Sequence, residues 1–186
     1  MGRLDKADSV LRKIEKIANK RFLPIVGPEK GKILAEEVRK VKPKRVLEVG
    51  TLIGYSAILM GKELDENAKI VTIEIHAEEA KTAEENIRKA EIPPKIEVIT
   101  GDAIQVIPTL QGIFDFVFVD AEKNEYYDYL RLVEPKLHVG TVIVADNAGI
   151  FAKQMQDYLD YVRTSGKHRS KYVPVGVDGL EISVKL

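Results

Sequence analysis

Apolar positions near the start of the chain fall at Val10, Leu11, Ile14 and Ile17, three and four residues apart, which predicts an amphipathic helix. Pro28-Glu-Lys-Gly-Lys-Ile-Leu opens a second helix, because a proline fits the first turn, where its missing N–H is no loss. From Arg45 onward the pattern changes. Short apolar runs at Val46–Val49, Ile70–Ile75, Ile96–Ile99, Phe114–Val119 and Thr141–Ala145 alternate with amphipathic stretches at 54–64, 78–90, 102–110, 124–134 and 150–165. Such alternation predicts βαβ units and a parallel sheet with helices on both faces. Two last runs, Lys171–Val175 and Leu180–Val184, flank the turn sequence Gly176-Val-Asp-Gly179 and predict an antiparallel hairpin. The expected fold class is α/β, a doubly wound, mostly parallel seven-stranded sheet. It is expected as one domain over residues 1–186, with N-terminal helices in 1–44 and the core in 45–186.

Composition narrows the function classes. With 186 residues, 45% hydrophobic and 31% charged, the chain can bury one core and is not a disordered sequence. It has no Cys, which removes disulfide scaffolds, cysteine-ligated zinc and thiol nucleophiles. No apolar stretch reaches the ~18 residues of a membrane span, and no signal-peptide core is visible, so a cytoplasmic location is the expectation. A formal net charge of zero hides an asymmetry. Residues 1–45 hold 14 of the 29 Lys and Arg but 6 of the 29 Asp and Glu, a net of +8, which leaves −8 on the remainder. A basic arm can attract anions; two solvated amphipathic helices account for it more simply.

The candidate chemistry lies where the strands end. Glu74, Asp120 and Asp146 each follow an apolar run, Glu48 precedes Gly50, and Asp102 follows Thr100-Gly101. Ligands of open parallel sheets bind at the carboxyl ends of the strands. Five acids on one edge repel one another unless a cation or hydrogen-bond donors compensate them. A helix N-cap explains any one of them, Asp102 best, but Glu48 and Glu74 lie poorly for capping. Gly50 and Gly54, in Glu48-Val-Gly-Thr-Leu-Ile-Gly54, allow a tight turn and close backbone approach to a ligand. Glu74 ends the second strand 20 residues beyond that loop, where dinucleotide folds place a carboxylate on ribose hydroxyls. With Glu48 beside the loop, a cationic or zwitterionic adenosine ligand fits better than a diphosphate.

The string EVGTLIGYSAILM (48–60), with VTIEIHAEEAKTAEENI (71–87), GDAIQVIPTL (101–110), FDFVFVDAEKNEYYDYL (114–130) and GTVIVADN (140–147), resembles the Rossmann-like S-adenosylmethionine-dependent methyltransferases. Within them it is similar to the cation-dependent catechol and caffeoyl-CoA O-methyltransferase group, over most of the chain from about Val26. The resemblance implies S-adenosylmethionine and Mg²⁺ (or another divalent cation) as cofactors and a small hydroxylated acceptor as partner. It implies that Glu48 and Gly50 line the methionine end, with Ser56 at its carboxylate and Val26 over its side. It places Glu74 on the ribose, Asp102 and Ala103 beside the adenine, and Asp120 both at the cofactor and, with Asp146 and Asn147, on the cation. Lys123 matches the general base. Independently of the resemblance, two carboxylates and an amide oxygen are a hard donor set suited to Mg²⁺.

Other features read as structural. His76, His138 and His168 show no ligand spacing and are expected to be exposed or capping, and Tyr126, Tyr127 and Tyr129 to be packing residues. The fourth run ends in Val119-Asp-Ala-Glu122 rather than the Pro-Pro-aromatic tetrapeptide of base-amino methyltransferases, so nucleic acid is not an expected partner. No membrane partner is expected, and a homodimer is compatible with the sequence. The chain departs from catechol methyltransferases at Glu122, where they carry Trp, and at about Tyr172, where they carry an acceptor-binding Glu. Metal-independent N-methylation of a macromolecule and a non-catalytic interaction module of the same fold stay open.

Overall fold

The computed structural model describes residues 3–186, with side chains from residue 6 onward. The first two residues of the expected domain lie outside the described residues. The elements run α1 (Arg3–Ala18), α2 (Gly27–Val41), β1 (Arg45–Val49), α3 (Tyr55–Lys62), β2 (Lys69–Glu74), α4 (Ala77–Ala90), β3 (Lys95–Thr100) and α5 (Ala103–Thr109). They continue with β4 (Phe114–Val119), α6 (Tyr126–Val133), β5 (Leu137–Ala145), α7 (Gln156–Thr164), β6 (His168–Val175) and β7 (Asp178–Lys185). A 3-10 turn at Lys123–Glu125 leads into α6.

All seven strands form one sheet in the order β3-β2-β1-β4-β5-β7-β6. Strands β1 to β5 pair in parallel, and β7 runs antiparallel to both β5 and β6. The central strands are apolar on both sides because helices cover both faces. In β4, Phe116 and Phe118 enter the core beneath α1, α2 and α3, while Val117 and Val119 enter the core beneath α5, α6 and α7. Among the described residues, no helix is long and apolar enough to cross a membrane.

Two boundaries differ from the expected pattern by four residues or more. β5 begins at Leu137, not Thr141. Its register against β4 shifts between Phe114 and Phe116, with Gly140 at φ 93° and the Thr141 hydroxyl donating to the Phe114 carbonyl. This bulge leaves His138, Val139 and Gly140 exposed, which breaks the apolar run. The stretch expected as a helix from 150 is a series of turns until α7 starts at Gln156.

Candidate active site

Strand order reverses between β1 and β4, and this switch point places the carboxyl ends of β1, β2, β4 and β5 around one crevice. The Asp120 amide donates to the Val49 carbonyl and the Asp146 amide to the Val119 carbonyl, each at 2.9 Å, so the two acids leave the sheet side by side. Glu48 lies beneath this edge and is wholly buried. Its Oε2 accepts the Thr72 hydroxyl at 2.5 Å, and Oε1 has no hydrogen-bond partner. Burial first, and then the charges of Asp120 and Glu74, raise its carboxyl to about 7 despite the Ser56 and Thr72 hydroxyls. An orphaned buried acceptor fits a ligand that brings a donor or a positive charge.

Gly50 and Gly54 have positive φ, 96° and 85°. A Cβ on Gly50 would lie 2.1 Å from the Asp120 carbonyl oxygen, so the close approach that demands glycine is to the backbone just after β4. Leu52, also left-handed at φ 50°, donates its amide to Glu74 Oε2 at 2.7 Å. The other oxygen of Glu74 accepts the His76 amide at 3.0 Å. Glu74 thus fixes the glycine loop, and each carboxylate oxygen keeps a second lone pair for a ligand hydroxyl. Glu74, His76 and Glu79 also bring one possible ligand atom each within 4.8 Å of one another, a grouping the sequence spacing did not reveal. It coincides with the expected ribose position.

Asp102 is an N-cap, its carboxylate accepting the Ile104 amide at 2.8 Å, and Ala103 is buried behind it in the first turn of α5. Ser56 is buried in the first turn of α3, and Val26 is buried just ahead of α2.

On the β4–β5 side, Lys123 reaches inward from the 3-10 turn. Its Nζ donates to Asp120 Oδ1 at 3.0 Å, the Ala121 carbonyl at 2.9 Å and the Tyr126 hydroxyl at 3.0 Å. Asp146 Oδ1 meets Lys30 Nζ at 2.6 Å and accepts the Asn147 amide N–H at 2.7 Å. Burial, then the Asp120 charge, raise the Asp146 carboxyl above the usual carboxylate range, with Lys30 pulling it down. Burial disfavours the Lys30 ammonium, but Asp146 and Asp178 outweigh it and raise that group. Asp120, Asp146 and the Asn147 amide oxygen form a hard oxygen set; with Asp178, which shares Lys30, three carboxylates face two lysines, and the set fits a divalent cation.

The sequence spacing missed three participants. Lys30 and Asp178 meet at 2.8 Å across 148 positions. Tyr126, expected only to pack, is wholly buried and also offers its hydroxyl to the Asp146 carbonyl at 3.4 Å. Tyr172, which the sequence already marked as a departure from the acceptor-binding Glu of catechol methyltransferases, donates to the Asp178 carbonyl at 2.8 Å. One expectation about the histidines fails: His168 is buried against Tyr161 with neither ring nitrogen partnered, while His138 is exposed beside Asp115. A groove of about 640 Å³ between α1 and α4, lined by Val10, Lys13, Ile14, Arg21, Ile53 and Thr82 among others, includes none of the expected site residues.

The model of a family described as O-methyltransferase matches residues 5–164. A catechol O-methyltransferase of Niastella koreensis is 39% identical over 66% of this chain and 57% of its own length. Catechol O-methyltransferase B of Danio rerio is 37% identical over 87% of this chain and 65% of its own. The chain therefore spans less than two thirds of these relatives. A Bacillus cereus O-methyltransferase, solved in complex with SAH, superposes with a TM-score of 0.86 at 26% identity, covering 96% of this chain and 91% of that one. With the match extending over most of its length, and with the same doubly wound sheet, this chain belongs to the O-methyltransferase family.

Proposed function

We propose that this protein transfers a methyl group from S-adenosylmethionine to a hydroxyl of a small catechol-like or phenolic acceptor, using a divalent cation. The observation that carries the reading is the side-by-side exit of Asp120 and Asp146 at the switch point, next to the orphaned Glu48 carboxylate. Relatives named catechol O-methyltransferase and caffeoyl-CoA O-methyltransferase, and a structural neighbour bound to SAH, support it.

In this reading Glu74 holds the ribose hydroxyls, Asp102 and Ala103 border the adenine, and Val26, Glu48, Gly50 and Ser56 surround the methionine end, with Asp120 alongside. Asp120, Asp146 and Asn147 hold the cation. When bound, the cation supplies charge that acidifies an acceptor hydroxyl, and S-adenosylmethionine supplies the electrophilic methyl. Lys123, once it has released a proton to solvent, takes the hydroxyl proton at Nζ. The acceptor oxygen forms the new O–C bond, the C–S bond breaks with its electron pair on sulfur, and the products are a methyl ether and S-adenosylhomocysteine. The protein contributes chiefly alignment of oxygen, methyl carbon and sulfur.

The test is labelled-methyl transfer to catechols, phenols, acyl-CoA phenols and tRNA, with Mg²⁺ or with EDTA, for the wild type and Asp146→Ala. Transfer to a small hydroxylated acceptor that EDTA and Asp146→Ala both abolish is the expected result. Chelator-insensitive transfer to tRNA would overturn it and promote N-methylation, and no transfer together with no S-adenosylmethionine binding would promote an interaction module.

A further inference from the structure

The carboxylate of Asp178, the first residue of β7, stands opposite the loop that leaves β5. Its Oδ1 accepts the backbone amides of Gly149 and Ile150, each at 3.1 Å. Its Oδ2 accepts Lys30 Nζ and the Asn147 side-chain Nδ2, each at 2.8 Å. The hairpin and the loop are held close by further contacts. The Ala148 amide donates to the Gly179 carbonyl at 3.0 Å, and a Cβ on Gly149 would lie 2.9 Å from the Asp178 Cα. Asn147 itself is held at φ 62°, a left-handed conformation that asparagine tolerates.

A carboxylate accepts and an amide nitrogen donates, so this contact fixes which end of the Asn147 amide faces the hairpin. The oxygen is then the outward end. Among the described residues no donor is paired with Asn147 Oδ1. Nothing in the sequence joins the two residues, which lie 31 positions apart and in different elements.

We infer that Asp178 is a positioning residue that turns the Asn147 amide oxygen toward the cation held with Asp120 and Asp146. The inference rests on the cation site proposed above. Without Asp178 the amide rotates, its NH₂ competes for the same direction, and the loop from Asn147 to Ile150 loses two backbone anchors. Partners that orient metal ligands are typically worth 10–100-fold in affinity.

The experiment titrates Mn²⁺ into wild type, Asp146→Ala, Asp178→Asn, Asn147→Ala and the Asp178→Asn/Asn147→Ala double variant, following free Mn²⁺ by electron paramagnetic resonance. S-adenosylmethionine affinity is measured by calorimetry on the same samples, and folding by circular dichroism. Asp178→Asn should weaken Mn²⁺ by about 10–100-fold and leave S-adenosylmethionine affinity within about twofold. The double variant should lose little beyond Asn147→Ala, because Asp178 acts through the oxygen that Asn147→Ala removes. Wild-type Mn²⁺ affinity in a folded Asp178→Asn protein overturns the assignment of Asp178 and leaves the cation site standing. A wild type with no Mn²⁺ binding sensitive to Asp146→Ala overturns the cation site and this assignment with it. Should Asp178→Asn fail to fold, the wild type still decides. Its Asn147 side-chain amide should give one rigid, exchange-protected NH₂ pair by nuclear magnetic resonance before any cation is added, and an averaged, mobile pair overturns the inference.

Discussion

Lys30 Nζ lies 2.6 Å from Asp146 Oδ1, joining the first turn of α2 to the end of β5 through a pair in which the lysine side chain is 13% exposed and the aspartate 2%. The same ammonium reaches Asp178 at 2.8 Å, so one lysine offsets two carboxylates beside Asp120. Removing one partner of a buried pair typically costs about 3–5 kcal/mol, because the other charge stays buried and unpaired. Lys30→Met should therefore lose stability of that order in EDTA. In millimolar Mg²⁺ the loss should be smaller, since a cation on Asp120 and Asp146 replaces the missing charge. Urea denaturation under both conditions checks this. An identical loss in each would mean that Lys30 and the cation do not serve the same carboxylates.

Glu48 gives a pH dependence with a definite sign. Its folded carboxyl is raised from 4.5 to about 7, first by burial. Below pH 4.5 it is protonated in both states and costs nothing. Between pH 4.5 and 7 the unfolded chain ionises while the folded one resists, so stability falls; above 7 both ionise and the loss levels off. The drop should be on the order of 1–3 kcal/mol, measured as urea midpoints at pH 5 and pH 8. Glu48→Gln should shrink that difference to the part that the raised Asp146 carboxyl contributes. A wild-type difference that Glu48→Gln leaves unchanged would assign the pH response to other groups.

How far such groups could be read from the sequence depends on how local their signals are. Asp120 and Asp146 were legible because each closes an apolar run, and a parallel strand points its last residue at the ligand edge whatever its neighbours do. Glu48 could be placed at the strand edge from the sequence, but its missing partner at Oε1 is a property of packing among Thr72, Ser56 and the sheet. Lys30 and Asp178 carry no local mark: one is a lysine in a helix turn, the other an aspartate in what reads as a hairpin turn. Only the sheet order, which inserts β7 beside β5, brings Asp178 to Asn147. The β5 bulge was hidden for a similar reason, since Val139 and Gly140 are exposed within a strand and read as loop.

Glu74→Gln tests the proposed ribose contact with less damage to the glycine loop than alanine would cause. Glu74 also accepts the Leu52 and His76 amides, so alanine would loosen the glycine loop along with the ligand. Glutamine keeps the shape and one acceptor oxygen but removes the charge. Hydrogen bonds to a charged group contribute about 1.5–3 kcal/mol, so affinity for S-adenosylmethionine should fall roughly 10- to 100-fold. Because the glutamine NH₂ must face either the Leu52 or the His76 amide, calorimetry should find the thermal midpoint without ligand lowered, but by less than in Glu74→Ala. An unaltered dissociation constant would remove Glu74 from the ribose site.

Lys123 is the hardest role to establish, because the structure gives its ammonium three acceptors, Asp120, the Ala121 carbonyl and the Tyr126 hydroxyl. Each takes one of its protons, so a lysine that only braces Asp120 and Tyr126 has the same geometry as one that acts as a base. Chemistry separates the two roles. A general base typically contributes about 10²–10⁴-fold, so Lys123→Ala should lower kcat by that order with a weakly acidic phenol. Lys123→Arg keeps a positive charge and several donors, which preserves much of a brace, but guanidinium does not release its proton at working pH. It should therefore be nearly as damaging as alanine if proton transfer is the role. The defect should also shrink along a series of acceptors of falling pKa, because an acceptor that ionises unaided needs no base. Stopped-turnover rates across such a series, at saturating Mg²⁺ and S-adenosylmethionine, measure this directly. Full activity of Lys123→Arg on the least acidic acceptor would make Lys123 a brace for Asp120 and leave the acceptor's proton to water.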